Sequence, residues 1–105
     1  MEIDSFTDVF AAGVARGTAE VLAVSQRPFS ILCVTETASV AAWKTKPGWG
    51  IVSSSDHTIN PEVERYGYQR AGLRKVVELD APHLVMHTHP AEVAALITEA
   101  AGELS

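Results

Sequence analysis

Apolar positions near the start of the chain recur with helical spacing. Phe6, Val9, Phe10, Gly13 and Val14 fall at i, i+3, i+4, i+7 and i+8, which predicts one amphipathic helix with Asp4 or Ser5 as N-cap. Gly17 is expected to interrupt it, and Thr18 to open a further turn or two through Val21 and Leu22 that closes before Pro28. Over residues 29–35 the run Ile31, Leu32, Cys33, Val34 has no clear period and fits a strand or a buried helix equally well. Residues 38–46 read as a connector, and Pro47 and Gly48 punctuate its end.

The second half is more regular. Residues 48–53 (GWGIVS) predict a short buried strand that runs into the polar cluster Ser53, Ser54, Ser55, Asp56. Asn60-Pro61 is a strong helix start, an N-cap followed by proline at the first helical position, and the helix is expected to run to Ala71 with Gly72 just past its end. Residues 75–79 (KVVEL) predict a second strand and residues 80–88 a loop. His89-Pro90 opens a last helix with Val93, Leu96, Ile97 and Ala100 on one face, ended by Gly102. Strand, loop, helix, strand, loop, helix implies an α/β arrangement with parallel strands joined by a right-handed crossover. Chemistry in such sheets gathers on loops beyond the carboxyl ends of the strands, and Asp56 and His83 both lie on such loops.

Composition narrows the class. The 105 residues suit one small domain with one core. Hydrophobic residues at 47% and charged residues at 20% are ordinary for a globular chain. A net charge of −5 with no basic stretch argues against nucleic acid or an anionic membrane as partner. No apolar run approaches the ~18 residues needed to span a bilayer, and the start MEIDSFTD lacks a basic n-region, so cytoplasmic location is the default expectation. The single cysteine, Cys33, excludes an intrachain disulfide or a cysteine-built zinc framework and is expected to be a small buried hydrophobe.

An aspartate and a histidine on neighbouring strand-end loops can form the orienting half of a Ser-His-Asp triad, in which the carboxylate fixes the imidazole tautomer and the imidazole takes a proton from the nucleophile. The chain order, acid before base, matches that of α/β-hydrolases. The plainer reading is an Asp that only forms a turn and a His that only decorates a loop.

Several fragments bear on this choice. In order they are Gln26-Arg27-Pro28, Trp43-Lys44-Thr45, Asp56-His57-Thr58-Ile59-Asn60-Pro61, Arg70-Ala71-Gly72, His83-Leu84-Val85-Met86 and His89-Pro90. Residues 42–101 resemble the C-terminal half of α/β-hydrolases, in the esterase branch similar to plant methylesterases and hydroxynitrile lyases. The resemblance implies a partial α/β-hydrolase fold, with short parallel strands, flanking helices and an N-terminal helical cap remnant. Residues 1–46 would be the cap-like segment and residues 47–105 the C-terminal part of the core. It also implies that Asp56 is the catalytic acid and His83 the base, that the substrate is a small apolar ester, and that no cofactor or metal is required.

The departure from the family pattern matters as much. The family's nucleophile sits in a Gly-x-Ser-x-Gly elbow, and none of the serines here stands in that frame. The expectation is therefore a shortened hydrolase or a piece of a longer one, with acid and base but no nucleophile, and with little or no activity alone. The alternative is a non-catalytic, shortened hydrolase that self-associates or binds a partner. Two short strands leave edges that invite pairing, so a homo-oligomer, most simply a dimer, is expected.

Other constellations carry less. His87-Thr88-His89-Pro90 resembles the metal-binding core of zinc-dependent isopeptidases, but the last helix lacks the aspartate that family needs. The preferred reading has His89 capping the last helix and His87 exposed. His57 reads as a solvated loop residue, or else as a gate beside the acid. Trp43 and Trp49 read as core or interface anchors, with Trp43 a candidate wall of an acyl pocket. Arg70, Arg74 and Lys75 read as a solvated charge group.

Overall fold

The structure, a computed structural model, describes residues 2–105. Helices α1 (Ile3–Val9) and α2 (Arg16–Val24) pack against each other. A single turn, α3 (Leu32–Thr35), and a 3₁₀ turn (Ala42–Lys44) interrupt the long connector that follows. Strand β1 (Trp49–Ser53), helix α4 (Pro61–Ala71), strand β2 (Lys75–Leu79), one turn of helix α5 (Val85–Thr88) and helix α6 (Pro90–Glu103) complete the order.

The two strands pair in parallel, from Trp49 opposite Lys75 to Ser53 opposite Leu79. Helix α4 is the crossover, bounded as its end signals require. Asn60 accepts the Glu62 amide at 2.9 Å, Pro61 holds the first turn, and Gly72 closes the helix at φ 63°, where a Cβ would be strained. Strand β1 is the buried strand: Val52 is 1% exposed, whereas β2 is exposed at alternate positions.

The first half departs from its sequence pattern. The predicted single helix through Val14 stops at Val9, because Gly13 turns the chain at φ 91°. Gly17, predicted to be the break, lies inside α2. The N-cap of α1 is Glu2, and neither Asp4 nor Ser5 serves. Phe6, Ala11, Ala19 and Ala23 form the small core of this helix pair, with Phe10, Val14, Leu22 and Leu84 packed against it. Leu84 comes from beyond β2, so the pair is seated on the strand-end loops.

Residues 24–47 are all exposed, and they include Phe29, Ile31, Leu32, Val34, Val40 and Trp43. The ambiguous run at residues 29–35 is thus neither strand nor buried helix. Cys33, expected inside, is exposed on α3. Trp43 is not a core anchor: it is 45% exposed, with the Arg70 guanidinium and the Lys44 ammonium over its ring.

The chain is correspondingly open. Its accessible surface is 7580 Å², where a folded monomer of this mass presents about 5,700 Å². Its radius of gyration is 15.4 Å, against about 13 Å for a compact domain of this length. Among the described residues no helix is long and apolar enough to cross a membrane.

Close approach of α4 to β1 depends on Gly50. A Cβ there would stand 2.8 Å from Leu73 Cδ1 and 3.0 Å from the Tyr68 ring. Gly50→Ala is expected to lower stability by about 1–3 kcal/mol through overpacking, read as a reduced urea midpoint with an unchanged m-value.

Candidate active site

The parallel ladder continues past the last paired residues. Ser54 N–H donates to the Leu79 carbonyl at 2.9 Å, and Ser55 N–H to that of Ala81 at 3.1 Å. The Ser54 hydroxyl donates to the same Leu79 carbonyl, and the Ser55 hydroxyl to the Asp80 carboxylate. The two loops therefore leave the sheet side by side. Asp56 lies three residues beyond Ser53 and His83 four beyond Leu79, so their side chains meet.

They meet in triad-like geometry. His83 Nδ1 lies 2.9 Å from Asp56 Oδ2. Asp56 Oδ1 accepts the backbone N–H groups of Thr58 at 2.7 Å and Ile59 at 3.0 Å. A carboxylate can only accept, so the shared proton belongs to Nδ1, and Nε2 carries the lone pair. Among the described residues nothing hydrogen-bonds Nε2. The Asp56 side chain is 1% exposed and that of His83 28%, a carboxylate sealed behind an imidazole that solvent reaches.

Asp56 titrates below its ordinary value. Burial alone pushes the carboxyl up, but the bonds from His83, Ile59 and Thr58 together outweigh it. The α1–α2 pair closes one side of the site. Phe10 meets the His83 ring edge-on with centroids 5.2 Å apart, and Thr58 Oγ1 donates to the Val9 carbonyl at 2.9 Å. His57 is exposed, as read from the sequence, but its Nδ1 is 3.2 Å from the Asp8 carbonyl, so it tethers the loop to α1. On the other side an open cavity of about 510 Å³ is bounded by Ser53, Glu64, Tyr68, His83, Val93 and Leu96.

Glu64 was not legible as a site residue. Its side chain faces Asp56, on the α4 face that also carries Pro61, Tyr68 and Ala71, all of them half-buried. A glutamate at the i+3 position of a buried helix face was the available signal. Trp49 is half-buried, with Arg74 over its ring and its Nε1 buried without a partner among the described residues. Arg74 and Lys75 are paired with Glu103 and Glu99 of α6, not merely solvated.

The His87–His89 motif is not built as a metal site. Among the described residues no three His, Cys, Asp or Glu side chains are placed to hold a metal ion. His87 is exposed. His89 stands at the N-cap of α6 but makes no capping bond, its Nδ1 lying 2.8 Å from Thr88 Oγ1.

Because the Asp56 carboxyl is held below its ordinary value, its contribution to stability is present above the ordinary carboxylate range and is lost as pH falls through the depressed value. Asp56→Ala leaves the Thr58 and Ile59 amides without an acceptor and is expected to cost about 1–3 kcal/mol at neutral pH. In urea denaturation the gap between variant and wild type should narrow in acid.

A model of the alpha/beta hydrolase family matches residues 2–96. Among characterised proteins and among solved structures nothing matches significantly. The family match runs through both the helical pair and the strand-end loops that join Asp56 to His83, and the chain belongs to the alpha/beta hydrolase family.

Proposed function

We propose that the chain provides the acid and base of an esterase-type triad, in the branch resembling plant methylesterases and hydroxynitrile lyases, with residues 1–46 as a cap-like segment and residues 47–105 as the C-terminal part of the hydrolase core. One observation carries this reading: a nearly fully buried aspartate, satisfied by two backbone amides, holds His83 Nδ1 at 2.9 Å and leaves Nε2 to work. In this role His83 takes a proton from a nucleophile and later returns it to the leaving group, while Asp56 stabilises the imidazolium. The cavity beside His83, apolar except for Ser53, Glu64 and Tyr68, suits a small apolar acyl group.

No serine hydroxyl hydrogen-bonds His83 among the described residues, and no Gly-x-Ser-x-Gly elbow occurs in the sequence. The expected result with a fluorophosphonate probe, read by intact mass beside p-nitrophenyl ester hydrolysis, is therefore no labelling and no turnover above that of His83→Ala. One serine labelled only when His83 is present would make the chain a complete hydrolase with Asp56 and His83 in the same roles. Labelling that survives His83→Ala would remove His83 from the role of base.

A second reading, self-association, is favoured by the open surface. The surplus over a compact monomer, roughly 1,900 Å², exceeds the about 800 Å² per partner of an ordinary interface, and the exposed stretch 24–47 is rich in large apolar side chains. A dimer is expected by size exclusion with light scattering at micromolar concentration. A monomer there would contradict it.

A further inference from the structure

Glu64 presents an unusual carboxyl. It projects from the first turn of α4 toward the carboxyl end of β1, where Oε1 receives the Ser53 N–H at a long 3.5 Å. Oε2 is buried and, among the described residues, has no hydrogen-bond partner. The ionisable groups that face it are Asp56 and His83, from the two strand-end loops, and Tyr68 from its own helix. None of these is a lysine or arginine, so no permanent cation offsets a second negative charge beside Asp56.

Two carboxyls that share one buried place do not both ionise at neutral pH. Asp56 is the one held as an anion, by two amides and an imidazole N–H. Ionised, Glu64 would leave Oε2 an orphaned buried acceptor next to that anion. Protonated, the same oxygen becomes a donor with an acceptor at hand.

We propose that Glu64 is a positioning residue for the Asp56–His83 pair, a neutral carboxylic acid whose Oε2–H donates to the Asp56 carboxylate and fixes one negative charge where His83 can use it. The proposal rests on the reading of Asp56 as the anionic partner of His83. The direction of titration agrees: burial first, then Asp56's charge, raise Glu64 above its ordinary value against the lowering effect of the Ser53 amide, and the adjoining Tyr68 is raised as well. Because both acids draw on one proton, their titrations are properties of the pair.

The test is a carboxyl-carbon NMR titration of the full chain labelled at Asp Cγ and Glu Cδ, with assignments carried through the backbone. It needs neither a nucleophile nor turnover, so it can fail while the hydrolase reading stands, and the reverse. The expected result is that Asp56 ionises first and that Glu64 keeps its proton after the solvent-exposed glutamates have lost theirs. In Glu64→Gln, whose amide preserves one donor and one acceptor, the Asp56 transition should stay where it is in the wild type. In Glu64→Ala, which removes the donor, it should move up. Glu64 ionising together with the exposed glutamates would overturn the proposal. So would a downward move of Asp56 in Glu64→Gln, which is the signature of deleting a neighbouring negative charge. The wild-type titration decides the matter even where the alanine variant does not fold.

Discussion

Everything at the site depends on the parallel ladder between β1 and β2. Five in-register pairs bring the two strands to an end together, Ser53 opposite Leu79, and the serine cluster that follows carries the pairing onward through the Ser54 and Ser55 amides and hydroxyls. Two loops that are distant in sequence are thereby held as neighbours, and their first free side chains are an acid and an imidazole. The crossover helix α4 makes the parallel pairing possible and sets a second carboxyl, Glu64, under the first. The hydrogen bond between Asp56 and His83 is thus a consequence of strand register, and Gly50 matters because it lets the helix lie close enough for that register to be covered.

The same geometry explains the openness of the molecule. A parallel strand pair needs cover on both faces and a neighbour at each edge. Here α4 covers β1 closely, whereas α6 leaves an open cavity whose wall includes His83. The α1–α2 pair buries its own small core, receives Leu84 from the loop beyond β2 and rests Phe10 against His83, but the connector between it and β1 leaves its apolar side chains in solvent. The proposed self-association would cover this apolar surface by the same physics that builds a core. Incomplete cover of the sheet and the partial exposure of His83 are two aspects of one architecture.

Much of the second half was legible in the sequence because its signals are local. Asn60-Pro61 and Gly72 bound α4, the GWGIVS and KVVEL runs are β1 and β2, and Pro90 opens α6. Parallel pairing followed from the order of elements, and the loop positions of Asp56 and His83 followed from that pairing. The first half was harder to read. Period alone could not tell that Gly13, not Gly17, takes the positive φ, because a glycine within a helix costs only about 1 kcal/mol and both positions satisfied the pattern. Cys33 and residues 29–35 were expected inside on hydrophobicity, and nothing among the described residues covers them. Glu64 was missed because an acidic residue on a helix reads as surface unless its face is counted. The lapsed His89 cap belongs to the same class: the residue stands at the right position, but its ring turns to the Thr88 hydroxyl.

The central claim is that strand register joins Asp56 and His83 into an oriented pair. Proton NMR of the imidazole N–H region tests it most directly, comparing wild type with Asp56→Asn. The expected spectrum has a His83 Nδ1–H resonance far downfield of the amides, slow to exchange, and absent from the variant while the rest of the spectrum stays dispersed. A folded wild-type chain without that resonance, or a variant that retains it unchanged, would contradict the claim.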